Sequence, residues 1–236
     1  MRSPGLASLR DRLLTVAFLL AAAGAGAAEE PLPDGLYAEF TTPRGQFVAE
    51  LHSHQAPLTV THFVGLAEGT LGPGRPAPFY TGLKWYRVVP GFVIQSGNPL
   101  HPADNPLRDT FPDEFAPGLR HREPGVLSMA NIGPDTNSAE FFVTLGDCTR
   151  LDYLHSVFGR TVRGLEVLPI IQPDDAFSIR ILRIGAAARA FKADAPALQA
   201  AAAREAKYRG EPEPGPTAHF DDPGHLIPTD PPRARN

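Results

Sequence analysis

The sequence predicts a mainly β protein, either a closed barrel or a sandwich, on three observations. Between Gly35 and Ile184, eight short β-like runs alternate with glycine- and proline-rich turn signals. Within that stretch one long segment, Pro57 to about Glu68, carries helical periodicity instead. Of the 236 residues, 42% are hydrophobic and 20% charged, enough apolar material for a core and too little charge for wholesale disorder.

The elements follow in order. Leu36–Phe40 and Gln46–Leu51 flank Thr42-Pro43-Arg44-Gly45, the pattern of a hairpin. Pro57 opens a helix whose Val60, Phe63, Val64 and Leu66 form one buried stripe, and Gly69 stops it. Further β-like runs are Lys84–Val89, Phe92–Gln95, Gly125–Met129, Phe141–Leu145, Ser156–Thr161 and Phe177–Ile184. A short helical turn is expected at Leu165–Ile171, limited by Pro169. From Asn98 to Pro124 six prolines break any period, which predicts a long surface loop, packed but irregular.

Both ends differ in character from this body. Arg2, Arg10 and Arg12 precede an uncharged run from Leu13 to Ala28, the last eight residues of which are Ala and Gly. A basic start, a Leu-rich middle and a small-residue end predict a secretory signal peptide over residues 1–28. The run has 16 residues, short of the roughly 20 strongly apolar ones that a membrane span wants. After Ile184, Asp194-Ala195-Pro196 reads as a helix start, Leu198–Arg209 is Ala-rich, and Gly210 is the stop. Arg204, Glu205 and Lys207 interrupt that helix, so it reads as a docking helix rather than a membrane one. With Leu198 and Tyr208 as its only sizeable apolar groups, the docking is expected to be shallow and dispensable for catalysis. From Glu211 onward proline and acidic residues dominate, predicting disorder. The expected organisation is a signal peptide at 1–28, a folded domain at 29–186, a helical extension at 187–210 and a tail at 211–236.

Charge and cysteine narrow the function. The formal charge is −4, and without residues 1–28 the chain holds 19 basic and 25 acidic residues, net −6. This gives no general attraction to nucleic acid or anionic lipid. A lone Cys148 excludes an intramolecular disulfide and a multi-cysteine zinc module. Cys148 reads as an ordinary thiol, and His52 with His54 as exposed polar residues of a strand end. His219, Asp221, Asp222 and His225 have ligand chemistry but fall in the proline-rich tail, where adventitious metal binding is the most they suggest.

Two segments carry the chemistry. Residues 80–99 run Tyr-Thr-Gly-Leu-Lys-Trp-Tyr-Arg-Val-Val-Pro-Gly-Phe-Val-Ile-Gln-Ser-Gly-Asn-Pro. Arg87 stands on one face of the first strand, Pro90-Gly91 turns the chain, and the return strand puts Val93 and Gln95 on one face, Phe92 and Ile94 on the other. By itself such an arginine reads as a snorkelling surface residue. A second segment, Gly125 to Thr144, sets polar groups and Phe141-Phe142 on neighbouring runs.

Together with Leu151-Asp152-Tyr153-Leu154-His155-Ser156-Val157-Phe158-Gly159, these segments closely resemble the cyclophilin peptidyl-prolyl isomerases, from about Leu36 to Ile184. Arg-Val-Val-Pro-Gly-Phe-Val-Ile-Gln with Ser-Met-Ala-Asn is the specific part. The resemblance implies a closed eight-stranded antiparallel β-barrel capped by two helices. It implies Arg87 as the catalytic arginine. Phe92, Val93, Phe142, Leu151 and His155 match the walls of a proline pocket, and Gln95, Ala130, Asn131, Ile132 and Glu140 match a groove for the flanking peptide. No metal and no cofactor is implied.

The chain also departs from the family pattern. Tyr86 replaces a histidine beside the arginine, Val93 a methionine, Glu140 a glutamine and Ile132 an alanine, while Arg150 replaces the tryptophan that accompanies cyclosporin binding. Tyr86 is counted with the substrate-binding set, and Glu140 is placed either to hold the fork of Arg87 or to compete with substrate for it. The expected function is a monomeric isomerase acting on proline-containing segments of exported proteins, itself periplasmic or secreted. The alternative is a non-catalytic chaperone or scaffold that holds proline peptides on the same fold.

Overall fold

A computed structural model describes residues 30–71, 77–97 and 110–208. The predicted signal peptide, residues 98–109 of the proline-rich stretch and the tail from 209 lie outside the described residues. Strand β1 (Gly35–Thr42) turns back into β2 (Gly45–Leu51) with Thr42 opposite Gly45. The Thr42 hydroxyl ties this turn, donating to the Gly45 carbonyl at 2.8 Å and accepting the Arg44 N–H at 3.1 Å. Phe40 and Phe47, opposite in register, stack at 4.4 Å as the centre of an aromatic core with Trp85, Phe141 and Phe177. Such pairs add stabilisation beyond the area they bury.

The other strands are β3 (Arg87–Val89), β4 (Val93–Ser96), β5 (Val126–Met129), β6 (Phe141–Thr144), β7 (Val157–Arg163) and β8 (Ser178–Ile184). They form one eight-stranded antiparallel sheet in the order β3-β4-β6-β5-β7-β2-β1-β8. The expected closed ladder is corrected here: β3 and β8 stand at its two ends without pairing. The segments that lead into them meet instead. Lys84 bridges Ala176, and Trp85 and Phe177 exchange backbone hydrogen bonds with Asp175, Asp174 and Leu83. Pairing at Lys84 is thus a bridge rather than the start of β3.

Helix α1 (Pro57–Glu68) buries every residue from Leu58 to Ala67, where the sequence predicts a single stripe. Other segments cover its remaining faces. Its N-terminus has no cap from its own chain neighbourhood. Glu114, from the irregular segment, supplies both carboxylate oxygens to the N–H groups of Leu58 and Thr59, at 3.0 and 2.8 Å. These are two of the orphan donors that every helix start carries. Gly69 closes the helix in the left-handed region.

The helical turn expected at Leu165–Ile171 is a 3-10 helix over Leu165–Ile170, with Val167 and Leu168 in the core. Helix α2 (Gly185–Ala190) and helix α3 (Ala195–Tyr208) follow β8. Asp194 caps α3 by accepting the Ala197 N–H at 3.0 Å. Leu198, Ala201 and Ala202 then pack on the core beside α1. A Cβ on Gly65 would stand 2.7 Å from the Ala193 carbonyl oxygen and 2.3 Å from Leu71, so only glycine permits this approach. Among the described residues no helix is long and apolar enough to cross a membrane.

Candidate active site

Strand register builds the site. Arg87 lies opposite Gln95, Gln95 opposite Phe142, and Phe142 opposite Ser128, one row across β3, β4, β6 and β5. The adjoining row of Ile94, Val143 and Leu127 enters the barrel core. Side chains alternate between faces along a strand, so the Arg87 row occupies the outer face.

On that face Val93, Ala130, Phe142, Cys148 and Leu151 form a second apolar cluster, separate from the core, with Phe92 packed against it. Phe92 precedes β4, in the turn after Val89, so the strand alternation that assigns it to the face of Ile94 does not apply. The Cys148 thiol donates to the Phe92 carbonyl at 3.4 Å and fixes that turn against the pocket. Burial pushes this thiol up to about 11. Cys148 therefore belongs to the pocket lining, a role its sequence context does not signal.

Beside the pocket, Arg87 donates through Nη1 to Gln95 Oε1 at 3.0 Å. The amide of Gln95 donates in turn to the Tyr86 hydroxyl at 2.7 Å and to Glu140 Oε2 at 3.2 Å, and Tyr86 donates to the same carboxylate oxygen at 2.7 Å. Glu140 acts on Arg87 through this relay rather than by a direct ion pair. Burial first, then Glu140, raises the Tyr86 phenol far above its ordinary value, so it remains a donor at neutral pH. Burial depresses the Arg87 guanidinium, and Arg150 repels it further, yet its intrinsic basicity keeps it a cation. Its buried Nε has no acceptor among the described residues.

Phe142 is held from two sides. His155 meets it edge-on at 5.5 Å, with Nδ1 donating to the Met129 carbonyl at 3.0 Å. His121 stacks on it at 5.8 Å. His121 Nδ1 hydrogen-bonds Asp152 at 2.8 Å and Nε2 hydrogen-bonds the Ser128 hydroxyl at 2.9 Å, so both ring nitrogens are engaged. Burial lowers the His121 pKa despite the opposing pull of Asp152. For Asp152 the hydrogen bonds from His121 outweigh burial and hold the carboxyl below its usual range. His121 and Asp152 are absent from the sequence-derived set.

Two expected groove residues stand apart. Asn131 spends its amide on the Leu154 carbonyl at 2.8 Å, so its side chain pins the loop. Ile132 is 82% exposed, clear of the pocket cluster. All the other sequence-derived site residues meet on this face. The weighed metal candidates do not: His52 and His54 line a different cavity, and the tail residues lie outside the described part.

An arginine relay beside an apolar pocket on the outer wall of an antiparallel barrel defines a class of protein, and the comparisons give that class its family. Residues 37–184 match the family model described as cyclophilin type peptidyl-prolyl cis-trans isomerase/CLD. The chain belongs to this family and is an isomerase of it. It is 40% identical over 128 residues to peptidyl-prolyl cis-trans isomerase A of Mycobacterium tuberculosis, covering 51% of this chain and 70% of that protein. Over 133 residues it is 41% identical to peptidyl-prolyl cis-trans isomerase ppi1 of Schizosaccharomyces pombe, covering 55% and 80%. The crystal structure of a Cryptosporidium parvum cyclophilin type peptidyl-prolyl cis-trans isomerase in the presence of the dipeptide Ala-Pro superposes with a TM-score of 0.53. That similarity has 25% identity and covers 64% of this chain and 99% of that one.

Proposed function

We propose that Arg87 and the pocket of Phe92, Val93, Phe142, Leu151 and His155 catalyse cis–trans isomerisation of X-Pro bonds without covalent chemistry, with Gln95, Tyr86 and Glu140 holding the arginine. The observation that carries this reading is the Arg87–Gln95 hydrogen bond at the rim of a buried apolar cluster. The barrier to be crossed is about 20 kcal/mol, because the amide C–N bond has double-bond character. At the twisted transition state conjugation is lost and the proline nitrogen keeps its lone pair. A guanidinium presented to that nitrogen favours the localised pair, and the surrounding apolar wall strengthens the interaction by excluding water. The pocket grips the ring while the carbonyl side turns. Ala130, on the pocket wall, guides the flanking chain.

The same reading makes the protein a monomeric folding assistant for exported proteins, supported by the signal-peptide pattern of residues 1–28. Cell fractionation with N-terminal sequencing tests it; a chain retained in the cytoplasm with Met1 in place would remove the export role.

The catalytic reading is tested by NMR exchange on proline peptides with the purified chain and Arg87→Ala. Turnover is expected to fall by at least about a hundredfold, the size of losing one electrostatic donor, with the melting temperature kept. Near-normal turnover would leave the non-catalytic binding alternative standing.

A further inference from the structure

The Arg150 guanidinium lies 4.3 Å from the centroid of the Phe92 ring. That ring is a wall of the proposed proline pocket, and Leu151, the next residue in the chain, is another. Arg87 approaches the same ring at 5.8 Å, so two cations share one aromatic wall. Arg150 is exposed, and among the described residues no carboxylate pairs with it. Its two acidic neighbours in the chain are engaged elsewhere: Asp152 accepts the His121 backbone N–H at 2.8 Å, and Asp147 accepts the Thr149 N–H at 2.9 Å, closing the turn before the 3-10 helix Thr149–Leu151.

Stacking orients this cation. A long, free side chain would lose much rotamer entropy on meeting a ligand. A guanidinium held over an aromatic face has already given up part of that freedom, and its N–H donors remain able to bind a ligand. The mouth of the site therefore carries opposite charges on its two sides. Glu140 stands by Gln95, tied into the Arg87 relay. Arg150 stands by Phe92 and Leu151, unneutralised.

We propose that Arg150 is a specificity-determining residue that selects proline segments bearing an acidic side chain next to the proline, on the side where the chain passes Phe92 and Leu151. This rests on the isomerase reading above and names its substrate class. A fork-shaped cation fits a carboxylate through two parallel hydrogen bonds. At a solvent-exposed position the gain is modest, about two- to fivefold in kcat/KM, and screened by salt. The competing view is that Arg150 merely covers Phe92 with its stem and reads no charge.

Two tetrapeptide series decide, Ala-Ala-Pro-Yaa and Ala-Zaa-Pro-Ala, with Glu, Gln or Lys at the varied position, followed by NMR exchange in low salt. One series is expected to show the order Glu over Gln over Lys. The Glu-to-Gln ratio should shrink in about 0.5 M salt, approach one in Arg150→Gln and invert in Arg150→Glu. A Glu-to-Gln ratio of one for the unaltered chain in both series, or a preference that survives Arg150→Gln, overturns the proposal. Failure to turn over any peptide, the Gln peptides included, sinks the isomerase reading itself and this proposal with it.

Discussion

Tyr86 and Glu140 share a hydrogen bond of 2.7 Å, and through Gln95 that pair reaches the arginine at the pocket rim. The Tyr86 phenol supplies the donor and the Glu140 carboxylate the acceptor.

Tyr86→Phe and Glu140→Gln should each lower kcat/KM about two- to tenfold, the cost of one or two hydrogen bonds that orient Gln95. Melting temperatures should change little. Because both act through one relay, the double variant should lose less than the product of the two. Multiplicative losses in the double-mutant cycle would show that they act independently.

His121 should contribute to the acid side of the stability profile. An unfolded histidine titrates near about 6.5, and burial holds the folded value lower. Below that pH the unfolded chain takes up a proton that the folded chain refuses, so stability declines as pH falls through the unfolded value and levels off below the folded one. His52, also lowered by burial, contributes the same sign. Urea midpoints at pH 7.5 and 5.5 measure the slope. His121→Asn should flatten part of it while costing about 1–3 kcal/mol, since Asp152 and Ser128 lose a buried partner. An unchanged slope would disprove the assignment to His121.

Glu114→Ala should destabilise by about 2 kcal/mol or more, because two N–H groups at the start of α1 lose their acceptors in a buried place. Glu114→Gln keeps one acceptor oxygen and should cost less. Chemical denaturation ranks the three chains. Equal losses for both variants would point to packing instead.

A chain ending at Phe191 should retain turnover but melt about 4–8 °C lower, since removing roughly 2 kcal/mol shifts a domain of this size by that much. The missing contacts are those of Leu198, Ala201 and Ala202 on the core and of Ala193 against Gly65 and Thr70. An unaltered melting curve would make α3 the shallow, dispensable dock that the composition of its sequence predicts.

The legible part of the site is the part built on strands. Arg87, Val93, Gln95 and Phe142 sit where period-two alternation and a contiguous motif place them, so local sequence suffices. Phe92 breaks that alternation because it belongs to a turn. His121 and Glu114 are hidden for another reason: they lie in an irregular, proline-punctuated segment, and their partners are 31 and 55–56 residues away. No periodicity marks a side chain whose role is to reach across the fold. The strand count was readable in the same way, whereas the break between β3 and β8 depends on how two distant segments meet.

Cys148 offers something separate from catalysis. Its thiol is neutral and buried inside the pocket wall, and it is the sole cysteine of the chain. Thiol reagents attack the thiolate at an accessible sulfur, so modification has to wait for Phe92 and Leu151 to part. The alkylation rate at fixed pH is then a clock for the breathing of the pocket, read without any introduced label, and an occupying peptide should slow it.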